Sequence, residues 1–347
     1  MSALPAYTPG RPAGSDGERA AYKISSNENP YPPLPSVLTA IDRAAQEINR
    51  YPDMAVTALI ERIAAALDVP AARIACGPGS VGVLGQIIQA ACDQGDEVLF
   101  AWRSFEAYPI ITRLAGAIPV HVPLTPDARH DLPAMAAAIT ERTRVVVVCT
   151  PNNPTGTTIT AAELEDFLEA VPEDVLVVID EAYTEFVTAD DAPDTLAVHR
   201  NRPNVAVLRT FSKAYGLAGL RIGYAVAHEP VALALRKTAI PFGVNSLAQV
   251  AAIASLDAVD ELELRVKDLV TERERVAQAL AEAGWQLPPS QANFVWFPLG
   301  QRSTEFAAAC AEAGLTVRPY GDDGVRATVA EPQANDRLIE VAAAFLR

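Results

Sequence analysis

Short apolar runs alternate with amphipathic stretches between about residue 55 and residue 211. The runs fall at residues 73–76, 97–101, 145–149, 175–180 and 205–211. Residues 55–67, 80–93, 104–115 and 161–170 carry helical spacing instead. Val145-Val146-Val147-Val148 and Val175-Leu176-Val177-Val178-Ile179 are apolar at every position, so both faces of these strands need cover. Uninterrupted apolar strands belong to parallel sheets flanked by helices on each side. The pattern predicts an α/β domain built on a mostly parallel sheet.

The last hundred residues read differently. A charged helix over 257–283 precedes candidate strands at 294–297 and 315–318, a glycine-rich turn at 321–324, a strand at 325–329 and a terminal helix. This predicts a smaller α+β domain. At the other end, residues 1–20 are rich in Pro, Gly and Ala and predict a flexible arm. Pro30-Tyr31-Pro32-Pro33-Leu34-Pro35 must be extended or turned, because proline fixes φ and lacks a donor. Ser36 offers an N-cap for a helix to about residue 48. The expected division is an arm and helix over 1–50 that packs with the small domain, a large domain over 51–250, and the small domain over 251–347.

A chain of 347 residues is long enough for two such domains. With 28 Lys plus Arg against 43 Asp plus Glu, its formal charge is −15. That balance, without any basic run, argues against nucleic-acid binding. Cys76, Cys92, Cys149 and Cys310 form no Cys-x-x-Cys pair, and the four histidines show no ligand spacing. Neither a disulfide framework nor a metal site is expected. No stretch reads as a signal peptide or a membrane span, so the expected setting is cytoplasmic.

Ligands of open α/β sheets sit at the carboxyl ends of the strands, and the polar outliers fall there. Thr150-Pro151-Asn152-Asn153-Pro154-Thr155-Gly156 follows one run, and Asp180-Glu181-Ala182-Tyr183 the next. Another is followed by Arg209-Thr210-Phe211-Ser212-Lys213, and another by Cys76-Gly77-Pro78-Gly79-Ser80 at a helix start. Each has a plainer reading. Asn, Pro and Gly form ordinary turns, Asp180 could cap the next segment, and a lone lysine is usually solvated. Together they suggest chemistry. A lysine in a tight, partly dry pocket loses its proton and attacks an aldehyde as a free amine, as a Schiff base with pyridoxal phosphate requires. Gly79 and Ser80 at a helix start suit a phosphate, and Arg221 supplies a fixed positive fork.

These segments resemble those of the fold-type I pyridoxal-phosphate aminotransferases, in the histidinol-phosphate aminotransferase family. The resemblance runs from Ser26-Asn27-Glu28-Asn29-Pro30 to Val325-Arg326-Ala327-Thr328-Val329. Asn49-Arg50-Tyr51-Pro52-Asp53, Trp102-Arg103-Ser104-Phe105-Glu106-Ala107-Tyr108-Pro109 and Ser290-Gln291-Ala292-Asn293-Phe294-Val295-Trp296 are most similar to the branch that transaminates aromatic amino acids. The resemblance implies a large domain that holds the cofactor. Lys213 would bind its aldehyde and shuttle the proton, Asp180 would pair with the pyridine nitrogen, and Asn153 and Tyr183 would hydrogen-bond the phenolate oxygen. Phe105 would stack on the ring. Gly79, Ser80, Ser212 and Arg221 would hold the phosphate, joined by Tyr51 of a second subunit in a homodimer. Arg326 would clamp the substrate carboxylate, with Asn29 and Tyr31 at the mouth.

The expected reaction is amino transfer between an aromatic L-amino acid (Phe, Tyr or Trp) and 2-oxoglutarate. Histidinol-phosphate aminotransferase and a related threonine-phosphate decarboxylase are the rival readings. A cofactor-sensing regulator would need a DNA-binding region for which this acidic chain has no room. Three departures from the family pattern touch the pocket walls: Trp102-Arg103-Ser104 before the stacking position, Val81 beside the phosphate cradle, and Ala330-Glu331 after the Arg326 strand.

Overall fold

The computed structural model describes residues 21–347, and the arm expected at residues 1–20 lies outside the described residues. Twelve strands run along the described chain: β1 (Tyr22–Lys23), β2 (Ile74–Gly77), β3 (Glu97–Trp102), β4 (Ile118–Pro123), β5 (Thr143–Cys149), β6 (Leu176–Asp180), β7 (Val205–Thr210), β8 (Gly223–Val226), β9 (Phe294–Phe297), β10 (Leu315–Thr316), β11 (Arg318–Pro319) and β12 (Val325–Thr328). Seven of them form one sheet in the order β2-β8-β7-β6-β5-β3-β4. Only β8 runs against the rest, being antiparallel to both β7 and β2. The carboxyl ends of β2, β3, β5, β6 and β7 therefore share one edge.

The apolar runs explain the layering. Along β5, Val145 and Val147 enter one core with Val83, Ile87 and Tyr108, while Val146 and Val148 enter another with Leu164 and Phe167. Successive side chains of a strand point to opposite faces, so an all-valine strand must be covered twice. The helices Gly79–Ala91 and Ala161–Ala170 provide that cover. The second begins with a capping box in which Thr160 and Glu163 each accept the other's backbone N–H.

A second core surrounds the three-stranded antiparallel sheet β11-β12-β9, with Phe297, Phe306, Val325 and Leu338 among its members. β1 pairs in parallel with β10. The run expected as one strand over 315–318 is thus two short strands that serve different sheets. The charged helix is Val259–Glu282, set off from the buried helix Ser246–Asp257 that precedes it.

The N-terminal segment corrects one expectation. Its strand β1 joins the small unit, but the helix Pro35–Ala44 does not pack there. Leu34 and Val37 lie in a core with Leu59, Ile63, Phe211 and Ala248, and the helix lies along Ser246–Asp257. Its apolar face finds cover beside the large sheet, while the backbone donors of β1 find theirs beside β10.

Candidate functional site

A recess of about 480 Å³ opens at the carboxyl edge of the large sheet, where the small sheet meets it. Ser80, Phe105, Asn153, Asp180, Tyr183, Ser212, Lys213, Arg221 and Arg326 all line it. Nine residues marked out in the sequence thus converge from seven segments separated by up to 246 positions.

Asp180 ends β6 and is buried. Tyr108 donates its hydroxyl to Asp180 Oδ2 at 2.6 Å, while Oδ1 has no hydrogen-bond partner among the described residues. Burial pushes the carboxyl up to about 6, against the hydrogen bond from Tyr108. Lys213 lies in the turn after β7 and points its amine at the Ser26 carbonyl, 3.1 Å away. Burial first, then the Arg326 charge, lowers this amine to about 7. Below that pH the amine carries a proton; above it the lone pair is free to attack.

The anion cradle is built where β2 runs into the helix Gly79–Ala91. Gly79 has φ +77°, and a Cβ added there would stand 2.3 Å from Arg221 Nη2. Only glycine permits that approach at that backbone angle. The helix offers its unpaired first-turn N–H groups at this point, Ser80 among them. Arg221 Nη1 donates to Ser212 Oγ at 3.2 Å, and Thr210 Oγ1 donates to the same oxygen at 3.0 Å.

Arg326 sits on β12 and is 5% exposed. It donates to Asn153 Oδ1, to Tyr320 Oη at 2.8 Å and to the Ser25 carbonyl at 2.7 Å. Its Nε is buried without a partner among the described residues. Asn27 Nδ2 donates to Tyr183 Oη at 2.8 Å, and burial pushes the Tyr183 phenol up.

Three residues named with this site stand elsewhere. Asn29 Nδ2 donates to the Ala214 carbonyl at 2.8 Å, so it braces the segment that carries Lys213. Tyr31 lies under the Arg265 guanidinium at 5.9 Å from the ring centre, outside the recess lining. Tyr51 is 82% exposed and stacks on Phe242 with ring centres 4.5 Å apart. Asn29 and Tyr31 are not among the residues that line the recess. Ser25, Ser26 and Asn27 take the place at the wall. Reading the sequence also missed Tyr108, Arg318 and Tyr320. Tyr108 is spaced like any core aromatic, Arg318 lies on the two-residue strand β11 with Tyr320 just after it, and no local motif marks either.

The donor set suits pyridoxal phosphate. The orphaned Asp180 Oδ1 matches a ring N–H, the glycine-bounded cradle matches a phosphate, and the lowered amine of Lys213 matches an aldehyde.

The family described as aminotransferase class I and II matches residues 21–342. A protein of Streptomyces coelicolor named aromatic amino acid aminotransferase is 60% identical over 345 residues, 99% of this chain and 96% of its own. A Thermobifida fusca protein of the same name is 54% identical over 346 residues, 99% of this chain and 96% of its own. Among solved structures, histidinol-phosphate aminotransferase from Sinorhizobium meliloti, in complex with pyridoxal-5'-phosphate, superposes with a TM-score of 0.86 at 32% identity. It covers 94% of this chain and 91% of its own.

Proposed function

The chain belongs to the class I and II aminotransferases, which use pyridoxal phosphate, and from that premise we propose that it moves the amino group between an aromatic L-amino acid and 2-oxoglutarate. The observation that carries the aromatic side of this reading is the apolar part of the recess lining. There Val81, Phe105, Ile110, Ile111 and Leu114 present apolar surface. Such a wall gains from burying a phenyl, phenol or indole group, at roughly 25 cal/mol per Å² of apolar surface covered. The names of the two relatives point the same way.

When bound, pyridoxal phosphate supplies an electrophilic aldehyde and a ring that accepts the electron pair left as the substrate's α-proton departs. Lys213 Nζ would meet the aldehyde and then carry that proton. Asp180 Oδ1 would accept the ring N–H and keep the ring cationic. Asn153 and Tyr183 would hydrogen-bond the ring oxygen, and Phe105 would cover one face. Gly79, Ser80, Ser212 and Arg221 would hold the phosphate. Arg326 takes the substrate's α-carboxylate through its forked donors. Asn29 fixes the backbone of the Lys213 turn.

We place the active unit as a homodimer. The exposed Tyr51–Phe242 stack, with Ile240 and Met54 also exposed, forms an apolar surface fit for a second copy. Tyr51 would then reach the neighbour's phosphate cradle. The large cofactor domain would span 51–250 and the small domain 251–347. No helix among the described residues is long and apolar enough to cross a membrane, and the four free thiols accord with a cytoplasmic setting.

A substrate panel on the purified, cofactor-loaded protein tests the reading. Phenylalanine, tyrosine and tryptophan should each convert the cofactor to its amino form, and 2-oxoglutarate should restore it. A large kcat/KM preference for histidinol phosphate would replace the aromatic assignment. Release of carbon dioxide from a phosphorylated threonine would replace the reaction type.

A further inference from the structure

Three arginines line the recess, and each has a different partner. Arg221 is turned to Ser212 and the phosphate cradle. Arg326 is held by Asn153, Tyr320 and Ser25. The third, Arg318, donates through Nη2 to Glu106 Oε2. Both members of this pair line the recess, and their side chains are 10% and 27% exposed. The Tyr320 ring centre lies 5.5 Å from Arg318 and 5.6 Å from Arg326, so the pair adjoins the arginine assigned to the substrate carboxylate.

Glu106 comes immediately before the helix Ala107–Leu114. A carboxylate is favoured at a helix start. Ile110 and Leu114 follow it at four-residue steps and line the same recess, so one helical face offers the pocket a carboxylate followed by an apolar ridge. Leu114 is 65% exposed, which places the ridge toward the mouth.

We infer that Glu106 sets the side-chain charge this site accepts, by neutralising Arg318 where a substrate's side chain would lie. The inference rests on the transaminase reading and deepens it. A neutral aromatic group passes the closed pair and packs on the ridge. A phosphate or phosphonate dianion meets the Glu106 charge before it gains Arg318, and even after displacing Glu106 it leaves uncompensated charge in a low-dielectric wall. A single carboxylate, as on 2-oxoglutarate, exchanges with Glu106 on Arg318 one for one. Glu106 is thus a specificity-determining residue that works against dianionic side chains by repulsion, as selective sites commonly do.

Calorimetric titration of the cofactor-loaded protein with two unreactive acids, 3-phenylpropionate and 3-phosphonopropionate, tests this. Wild type should bind the phosphonate at least tenfold more weakly than the phenyl acid. Glu106→Gln should narrow that ratio at least tenfold, chiefly by tightening the phosphonate. Glu106→Asp, which keeps the charge, should restore most of the wild-type ratio. Equal ratios in wild type and Glu106→Gln, or a Glu106→Asp protein that behaves like Glu106→Gln, would overturn the role of Glu106. Failure of wild type to bind 3-phenylpropionate would instead sink the aromatic reading, because the phosphonate comparison between wild type and Glu106→Gln is scored independently.

Discussion

Tyr108 and Asp180, 72 positions apart in the chain, share a buried 2.6 Å hydrogen bond in which the tyrosine donates to one carboxylate oxygen, while the other has no partner among the described residues. The bond fixes the carboxylate's rotation and opposes the rise in its pKa that burial causes. Asp180 is therefore charged above about pH 6 and loses that charge as the pH falls through it.

Tyr108→Phe removes this donor without opening a large cavity. A hydrogen bond to a charged group is worth about 1.5–3 kcal/mol, so pyridoxal phosphate affinity should fall by about tenfold or more. The acid limb of the affinity profile should move to higher pH, because more of Asp180 is then neutral at a given pH. Fluorescence titration of the apoprotein across pH 5–8 measures both. An unmoved acid limb would show that Tyr108 only packs.

The amine of Lys213, lowered to about 7, makes cofactor capture pH-dependent. The neutral fraction at pH 6 is about one tenth of that at pH 8, so stopped-flow capture by the apoprotein should be roughly tenfold slower there. The same shift acts on stability. Between about 7 and the ordinary 10.5, the unfolded chain holds a proton at this amine that the fold does not. In this respect the apoprotein should gain stability as the pH rises through that window, and the full cost of burying the charge applies below it. A Lys213→Met apoprotein should lose that part of the pH dependence in denaturant titrations.

Gly223 opens β8 against the cradle. A Cβ there would meet the Ser80 nitrogen at 2.4 Å, the Gly79 carbonyl carbon at 2.7 Å and the Arg209 oxygen at 2.9 Å, all backbone atoms that cannot rotate aside. Gly223→Ala should cost about 1–3 kcal/mol of stability and weaken inorganic phosphate and cofactor binding together. Wild-type phosphate affinity in this variant would mean that the anion lies elsewhere.

Tyr51 and Lys213 give a test of the shared site. Lys213→Ala and Tyr51→Ala homodimers should both be impaired. When the two are mixed and allowed to exchange subunits, one site per hybrid regains an intact lysine and an intact neighbouring tyrosine. Activity should recover above the sum of the parents. No recovery, with hybrids demonstrated by native mass spectrometry, would place Tyr51 outside the partner's site.

The parts legible in the sequence were those with strong local signals. The valine runs of β5 and β6 announced strands covered on both faces, and the helical spacing over 161–170 coincides with the helix Ala161–Ala170. β4 was not legible. It is an edge strand with prolines at 119 and 123 and an exposed His121, so neither propensity nor alternation speaks for it. β8 is four residues long and begins at a glycine chosen for clearance. The buried helix Ser246–Asp257 is apolar on most sides and offers no clear face. In the site, Lys213, Asp180 and Asn153 stood out because motifs enclose them. Tyr108, Ser25 and Glu106 act through one buried bond, one carbonyl and one ion pair, relations that only the folded chain creates.

The central claim is that the Lys213 amine captures pyridoxal phosphate in this recess. Loading the apoprotein with the cofactor, reducing it with borohydride and mapping the peptides by mass spectrometry tests this most directly. The modification should fall on Lys213 in wild type and vanish in Lys213→Ala. A modification on another lysine, or a wild-type protein that takes none, would contradict the account.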